Sequence, residues 1–455
     1  MGGSTASARP ADFAEVRDRT VAKLQPLVRI PTVSHIDPGQ RDEAPFVAFT
    51  EELARQFPLL HEHLELTRIP GHALLFRWPG ASAERPVVLM AHIDVVPVDE
   101  AAPWQHPAFE ARIVDAQLWG RGTLDDKACL VGIAEAVERL LERGFRPAQD
   151  IWLSFGSTEE ISGDTARLAV AELRSRGVEP WFVLDEGGAV AADAFPWITP
   201  PLAVVGVSEK GTTTLELRVD GRGGHASTPV RMDATARLAR AIVRLDASPF
   251  PASIPEPTLE MFRRIAPHAP LPLRALFGHA TRLRPALTRV LVAAGPEPAA
   301  LTRTTVAVTT LSGSPAHNVI ASTARAGVNV RVLVGDTVAS VVAHVTKAIH
   351  DKRVTISVVE AGEASPVSPV DDDAFRLLES TIAEVFPDAV PTPYVMMAAT
   401  DSRFFTAICP RVYRFAPFRM TKAQRQAIHS YDEHIGIDDL GDGMLWYQRL
   451  IERIA

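Results

Sequence analysis

The sequence predicts an α/β protein: a mostly parallel sheet flanked by helices, interrupted by a smaller inserted α+β domain. Three observations predict it. From residue 85, short apolar runs without polar alternates take turns with helical stretches, as in a parallel sheet covered on both faces. After Ser208 the strand candidates alternate apolar with polar residues, as in a sheet with one open face. From Asp371 the first texture resumes. A length of 455 residues suits two or three domains. The expected division is residues 1–207 and 365–455 for the larger domain, in two parts, and 208–364 for the insert.

The elements follow in order. Phe13, Val16, Val21, Leu24 and Val28 recur at helical spacing and predict a first helix, ended by Pro31. Strands are expected at 87–89, 151–155, 182–184 and 203–207, with helices at 127–142 and 164–176 between them. In the insert, Thr-Thr-Thr-Leu-Glu-Leu-Arg-Val at 212–219 is an alternating strand, followed by a helix at 233–245. Further strands fall at 304–311, 326–333 and 354–359, with a helix at 338–349. Pro251, Pro255, Pro257, Pro267, Pro270 and Pro272 forbid one long helix across 248–300. That segment is expected to form short helices, either as a surface excursion or as a cap over a ligand site.

Composition narrows the function. Hydrophobic residues at 46% and charged residues at 22% are globular values and exclude wholesale disorder. Two cysteines, Cys129 and Cys409, exclude a disulfide framework and a Cys-rich zinc module. With 47 Lys+Arg against 55 Asp+Glu, a net charge of -8 and no basic run, nucleic acid is excluded as a partner. Residues 1–10 show no leader pattern, and Ala6 breaks the myristoylation motif begun by Met1-Gly2. The apolar stretch 194–207 carries three prolines and is too short to span a bilayer. A soluble cytoplasmic protein with no membrane span is expected.

The chemistry lies at the strand ends, where open parallel sheets gather their active groups. His92-Ile93-Asp94 follows the first strand, and Gly120-Arg121-Gly122-Thr123-Leu124-Asp125-Asp126-Lys127 opens a helix. Glu159-Glu160 follows the second strand, and Asp185-Glu186-Gly187-Gly188 the third. Each alone is weak: a carboxylate at a helix start is usually a cap. Together they crowd several carboxylates along one sheet edge, which costs several kcal/mol unless cations neutralise them. A pair of divalent ions roughly 3.5–4 Å apart suits such a set. His with Asp and Glu, without Cys, suits Zn2+, and Co2+ or Mn2+ also fit.

With these motifs the chain resembles the aminoacylase, carnosinase and carboxypeptidase S family of co-catalytic zinc metallopeptidases over residues 13–454. It is most similar to the branch holding carboxypeptidase S and the N-fatty-acyl-amino-acid hydrolase. Branch-like strings include Ser208-Glu209-Lys210-Gly211, Thr302-Arg303-Thr304-Thr305, Asn318-Val319-Ile320 and Thr400-Asp401-Ser402-Arg403. The resemblance implies that His92, Asp125 and Asp185 hold one metal, with Asp125 bridging to a second held by Glu160 and His429. Asp94 orients the His92 ring, Asp126 is a helix N-terminal charge, and Glu159 is the general base. His429 rather than His434 is implied, although Ser430 and Asp432 stand where the family has Gly and Asn. In Asp220-Gly221-Arg222-Gly223-Gly224-His225, the resemblance implies that His225 stabilises the oxyanion, often from a partner subunit. Asn318 and Arg331 match family positions that hold the substrate carboxylate, with a surface ion pair the alternative for Arg331, and Thr400 and Ser402 match a loop that the family places beside the substrate, with a plain helix cap the alternative.

The implied activity is hydrolysis of an amide bond beside a free carboxylate, in N-acyl amino acids or small peptides. A carboxypeptidase or dipeptidase is the alternative, and a non-catalytic amino-acid or peptide binder a distant one. The insert is expected to act as a lid and, in a homodimer, as the dimerisation domain. Phe250, Met261, Phe262, Leu273 and Phe277 are expected to line an apolar acyl pocket.

Overall fold

The computed structural model describes residues 9–99, 101–195 and 197–455. Residues 1–8, read above for a leader, lie outside the described residues, as does Pro196 of the apolar stretch.

A ten-stranded mixed sheet forms the centre. Its strands are β1 (Glu65–Ile69), β2 (Ala73–Trp78), β3 (Ser82–His92), β4 (Gln149–Gly156), β5 (Phe182–Asp185), β6 (Ala189–Ala191) and β7 (Leu202–Glu209). The insert contributes β8 (Gly211–Asp220), β9 (Thr305–Ser312), β10 (Thr323–Val332) and β11 (Thr355–Glu360) to a separate sheet. The central sheet resumes with β12 (Val390–Met396), β13 (Val412–Arg414) and β14 (Arg419–Met420). Its order is β1-β2-β4-β3-β5-β13-β7-β6-β14, with β12 beside β7. Five ladders are parallel, including β4-β3-β5-β13 at the middle. The sequence pattern missed β1 and β2, which pair antiparallel at the edge.

Why β3 is central follows from its side chains. Val87, Leu89 and Ala91 enter one core, with the helices Phe13–Val28, Lys127–Glu142, Asp373–Val385 and Ile437–Arg453. Val88 and Met90 enter the core on the other face, under Thr165–Ser175. A strand with both faces covered must be apolar throughout. The smaller sheet, ordered β9-β10-β8-β11, is antiparallel. Leu215, Leu217 and Val219 of β8 face the helices Ala234–Asp246 and Val338–Ile349, while Thr212, Thr214, Glu216 and Arg218 face away. Two chain connections join the sheets, at Glu209 to Gly211 and Gly362 to Ser365. There a Cβ on Gly211 would lie 2.2 Å from the Gly362 carbonyl oxygen, and one on Gly362 would lie 2.3 Å from that of Thr212, so only glycines allow the crossing.

In the 248–300 segment, proline falls in the first turn of several short helices, among them Glu256–Ile265, Leu271–Gly278 and Arg284–Ala293. They pack against β7 and β12 around Met261, Phe262, Ile265, Phe277 and Leu287. Four of the five expected acyl-pocket residues are therefore placed otherwise, and Leu273 is half-buried against this core. Met261, Phe262 and Phe277 are buried in this solid core, and Phe250 stacks on His344 in the smaller sheet's core. Among the described residues, no helix is long and apolar enough to cross a membrane.

Candidate metal centre

His92 is the last residue of β3, and its ring is fixed by Asp94. Nδ1 lies 2.8 Å from the Asp94 carbonyl oxygen and 3.5 Å from its carboxylate. The orienting group is thus the backbone carbonyl, because the Asp94 carboxylate is otherwise engaged. It accepts from Ser34 Oγ at 2.5 Å and from the backbone N–H groups of Glu159 and Glu160 at 3.2 Å each. One acid thereby links two of the strand-end motifs. Burial opposes its ionisation, but the imidazole, Ser34 and the Glu159 amide hold it below the usual carboxylate range.

Asp125 sits on a loop that a fully buried Glu433 holds. The Glu433 carboxylate accepts from Arg121 Nη1 at 2.7 Å and from the amides of Gly122, Leu124 and Asp125 at 3.0, 2.8 and 3.1 Å. The two oxygens of Asp125 face different imidazoles. Oδ1 is 2.9 Å from His92 Nε2, and Oδ2 is 3.0 Å from His429 Nε2, which is also 3.0 Å from Glu160 Oε2. His92, Asp125 and Glu160 each offer a ligand atom within 4.8 Å of the others. Buried Glu160 Oε1 has no hydrogen-bond partner. Convergent nitrogen and oxygen donors with an unpartnered carboxylate oxygen fit divalent cations that take N and O ligands.

Glu159 projects beside this group. Burial, then the nearby Asp401, Glu160 and Asp125, hold its carboxyl well above the usual range. Asp185 is buried at the end of β5, outside the 4.8 Å group, with Oδ2 accepting from the Ser402 amide at 2.9 Å. His434 stacks on Trp119 with centroids 4.1 Å apart and plays no part, which leaves the position to His429. Asp432 has φ 62, a left-handed conformation that Asp tolerates as Asn does, and its carboxylate accepts from the backbone and side-chain amides of Gln105 at 2.7 and 2.9 Å.

The remaining predicted residues are placed as follows. Asp126 is the N-cap residue of the helix Lys127–Glu142, as expected, but makes no side-chain cap bond; it is buried, and its Oδ2 accepts from the His92 amide at 3.1 Å. Thr400 and Ser402 are buried, their hydroxyls bond each other at 2.7 Å, and the Ser402 amide donates to Asp185. Arg331 and Asn318 are not brought together. Arg331, bonded to Thr212 Oγ1 at 2.7 Å, lies near the connections. Exposed Asn318 lies beside exposed His225, its carbonyl accepting from the Ala226 amide at 3.0 Å, beyond the other end of the antiparallel β8-β10 ladder. Along β10, Thr323 to Arg331 spans about 26 Å.

Sequence reasoning missed Asp401, Glu209 and Glu433. Asp401 is buried with Oδ1 unpartnered, its pKa pushed up to about 7 by burial and then by Asp185 and Asp94. The Thr-Asp-Ser-Arg string was visible, but its hydroxyls drew notice instead of its acid.

An imidazole-carboxylate cage at the carboxyl edge of an open α/β sheet, with a smaller sheet inserted beside it, defines a metal-dependent hydrolase. Residues 88–453 match the model of peptidase family M20/M25/M40, and the chain belongs to that family. Probable carboxypeptidase S-like 2 of Dictyostelium discoideum is 35% identical over 438 residues, 94% of this chain and 84% of that protein. The N-fatty-acyl-amino acid synthase/hydrolase PM20D1 of Xenopus tropicalis is 35% identical over 442 residues, 96% of this chain and 86% of that protein. Among solved structures, the M20 family metallo-carboxypeptidase Sso-CP2 from Sulfolobus solfataricus shares the fold, with a TM-score of 0.68, 16% identity, and 95% of this chain and 98% of that chain covered.

Proposed function

We propose that the protein hydrolyses the amide bond next to a free carboxylate, with N-acyl amino acids as the leading substrate class. The observation that carries the reading is Asp125, whose two oxygens each face a different imidazole. In this reading His92, Asp125 and Asp185 hold one divalent ion, and Asp125, Glu160 and His429 a second, with Zn2+ preferred and Co2+ or Mn2+ admissible. When bound, the ions acidify water and polarise the carbonyl of the scissile bond. Glu159 removes a proton from the attacking water and delivers it to the leaving amine. Asp94 keeps His92 and Glu159 in fixed relation. Arg331 binds the substrate carboxylate with its guanidinium fork.

His225 and Asn318 are assigned to the oxyanion and the carboxylate of a partner subunit's site. Their separation from Arg331 supports a homodimer, as do the exposed Leu311, Val358 and Val359 on the edge strands β9 and β11. The second reading, a carboxypeptidase or dipeptidase, gains support from the insert: Met261, Phe262 and Phe277, expected to receive a long acyl group, are occupied in packing. The domain limits 1–207, 208–364 and 365–455 remain part of the proposal, supported by the separate cores. The cytoplasm is the proposed compartment, in keeping with two free, buried cysteines. A panel of N-acyl amino acids and dipeptides on metal-stripped protein, resupplied with Zn2+, Co2+ or Mn2+, tests the whole reading. No turnover with any metal would refute it.

A further inference from the structure

Glu209 ends β7 with only 1% of its surface exposed, in a Ser-Glu-Lys-Gly string for which the reaction has no use. A carboxylate this deep is costly unless paired and hydrogen-bonded. Its Oε2 accepts from the Thr400 amide at 2.7 Å, and its Oε1 from Arg414 Nη2 at 3.3 Å. Both partners lead to Asp185. Thr400 begins the turn whose Ser402 amide donates to Asp185 Oδ2 at 2.9 Å. Arg414 is the register partner of Asp185 in the β5-β13 ladder, and the next amide, Phe415, donates to the Asp185 carbonyl at 2.8 Å. The Glu209 backbone belongs to the connections between sheets: its amide donates to Ser365 Oγ at 2.9 Å, and its carbonyl accepts from the Ser365 amide at 3.1 Å.

We propose that Glu209 is the positioning residue for Asp185: through the Thr400 amide it fixes the turn whose Ser402 amide holds the Asp185 carboxylate, and it ties that turn to the root of the inserted sheet. The proposal rests on the reading of Asp185 as a metal ligand. Glu209 touches neither substrate nor ion; its effect is on where Asp185 points, and therefore on one ion more than on the other.

The test is Zn2+ titration of the metal-stripped full chain, followed calorimetrically, for the native protein and two double variants. Glu209→Gln/Arg414→Met and Glu209→Met/Arg414→Met both remove the buried charge pair as a unit, so neither strands a lone charge. They differ in whether an oxygen remains for the Thr400 amide. The Gln variant is expected to bind both ions nearly as the native protein does. The Met variant is expected to bind one of them about 10- to 100-fold more weakly, the usual cost of losing an orienting group. Equal native-like binding in both variants, or equal weakening in both, would overturn the proposal. A native protein that fails to bind two ions would instead overturn the metal reading itself. If a variant does not fold, hydrogen exchange on the native zinc-loaded chain decides: protected Thr400 and Ser402 amides support the proposal, and amides exchanging like an open loop refute it.

Discussion

Replacing Glu433 by Gln tests whether the Asp125 loop is held as the geometry says. The carboxylate accepts from one guanidinium and three backbone amides, while the Arg121 and Glu433 side chains are 3% and 0% exposed. A Gln amide can keep one oxygen toward the loop, but its NH2 group must then face either Arg121 and Gly122 or Leu124 and Asp125, donor against donor. Breaking a buried pair by neutralising one partner costs about 3–5 kcal/mol. Arg121 keeps a bond to the Ser430 carbonyl at 2.5 Å, which places the expectation at the lower end, about 3 kcal/mol. Chemical denaturation of the metal-stripped protein reads that loss. Because the same loop presents Asp125, zinc affinity should fall with it, by about tenfold or more. A variant with native denaturation midpoint and native zinc affinity would show that the four bonds are incidental.

Four other outcomes are expected. Glu159→Gln should retain zinc yet lose at least about 100-fold in kcat, the lower range of general acid–base catalysis, in a steady-state assay. Phe262→Ala should cost about 3–5 kcal/mol in stability while leaving the ratio of long- to short-chain acyl hydrolysis unchanged, since Phe262 is core. Mixing His225→Ala with Glu159→Gln protein should restore part of the activity that each lacks, because a mixed dimer holds one site with both groups intact; no recovery on mixing would refute the partner assignment. Burial, then Asp442, pushes Asp439 up to about 6, so the folded state holds its proton to higher pH than the unfolded chain. Its contribution is present below about pH 4 and lost as pH rises through 6. Asp439→Asn should therefore raise the urea midpoint at pH 7 by up to about 3 kcal/mol equivalent, and leave it unchanged at pH 4.

What could be read from the sequence depended on whether the signal was periodic or motif-borne. The strand β8 stands where its alternation puts it, because one face decides burial, and the helix Lys127–Glu142 lies where expected between two strands although it is buried nearly all round. β1 was missed since Glu-Leu-Thr-Arg-Ile, with one buried residue, carries little apolar content. The strand-end acids were legible as a group because each closes a recognisable run. Their division of labour was not. Asp126 and Asp125 look alike in sequence, and only the turn of the chain directs one to the His92 backbone and the other to two imidazoles. Glu209 and Glu433 lie some 200 and 300 residues from the amides they hold, a distance at which a lone sequence shows no pairing.

Hydrogen bonding separates acids that hold the centre from acids that face it. Asp94 accepts from two amides, Glu433 from three and an arginine, and Glu209 from one and an arginine. Each of these binds the loop of a different motif, so the strand ends are interlocked before any cation is considered. Asp125 and Glu160 point instead at imidazoles, and Glu160 Oε1 has no donor among the described residues. An acid whose charge the protein satisfies with its own donors needs no ion, whereas acids set against imidazoles, themselves common metal ligands, form a donor set that suits one. By that criterion Asp125 and Glu160 are the strongest ligand candidates. Asp185, with one oxygen committed to Ser402, stands between the two groups, which makes its aim the most sensitive to the residues behind it.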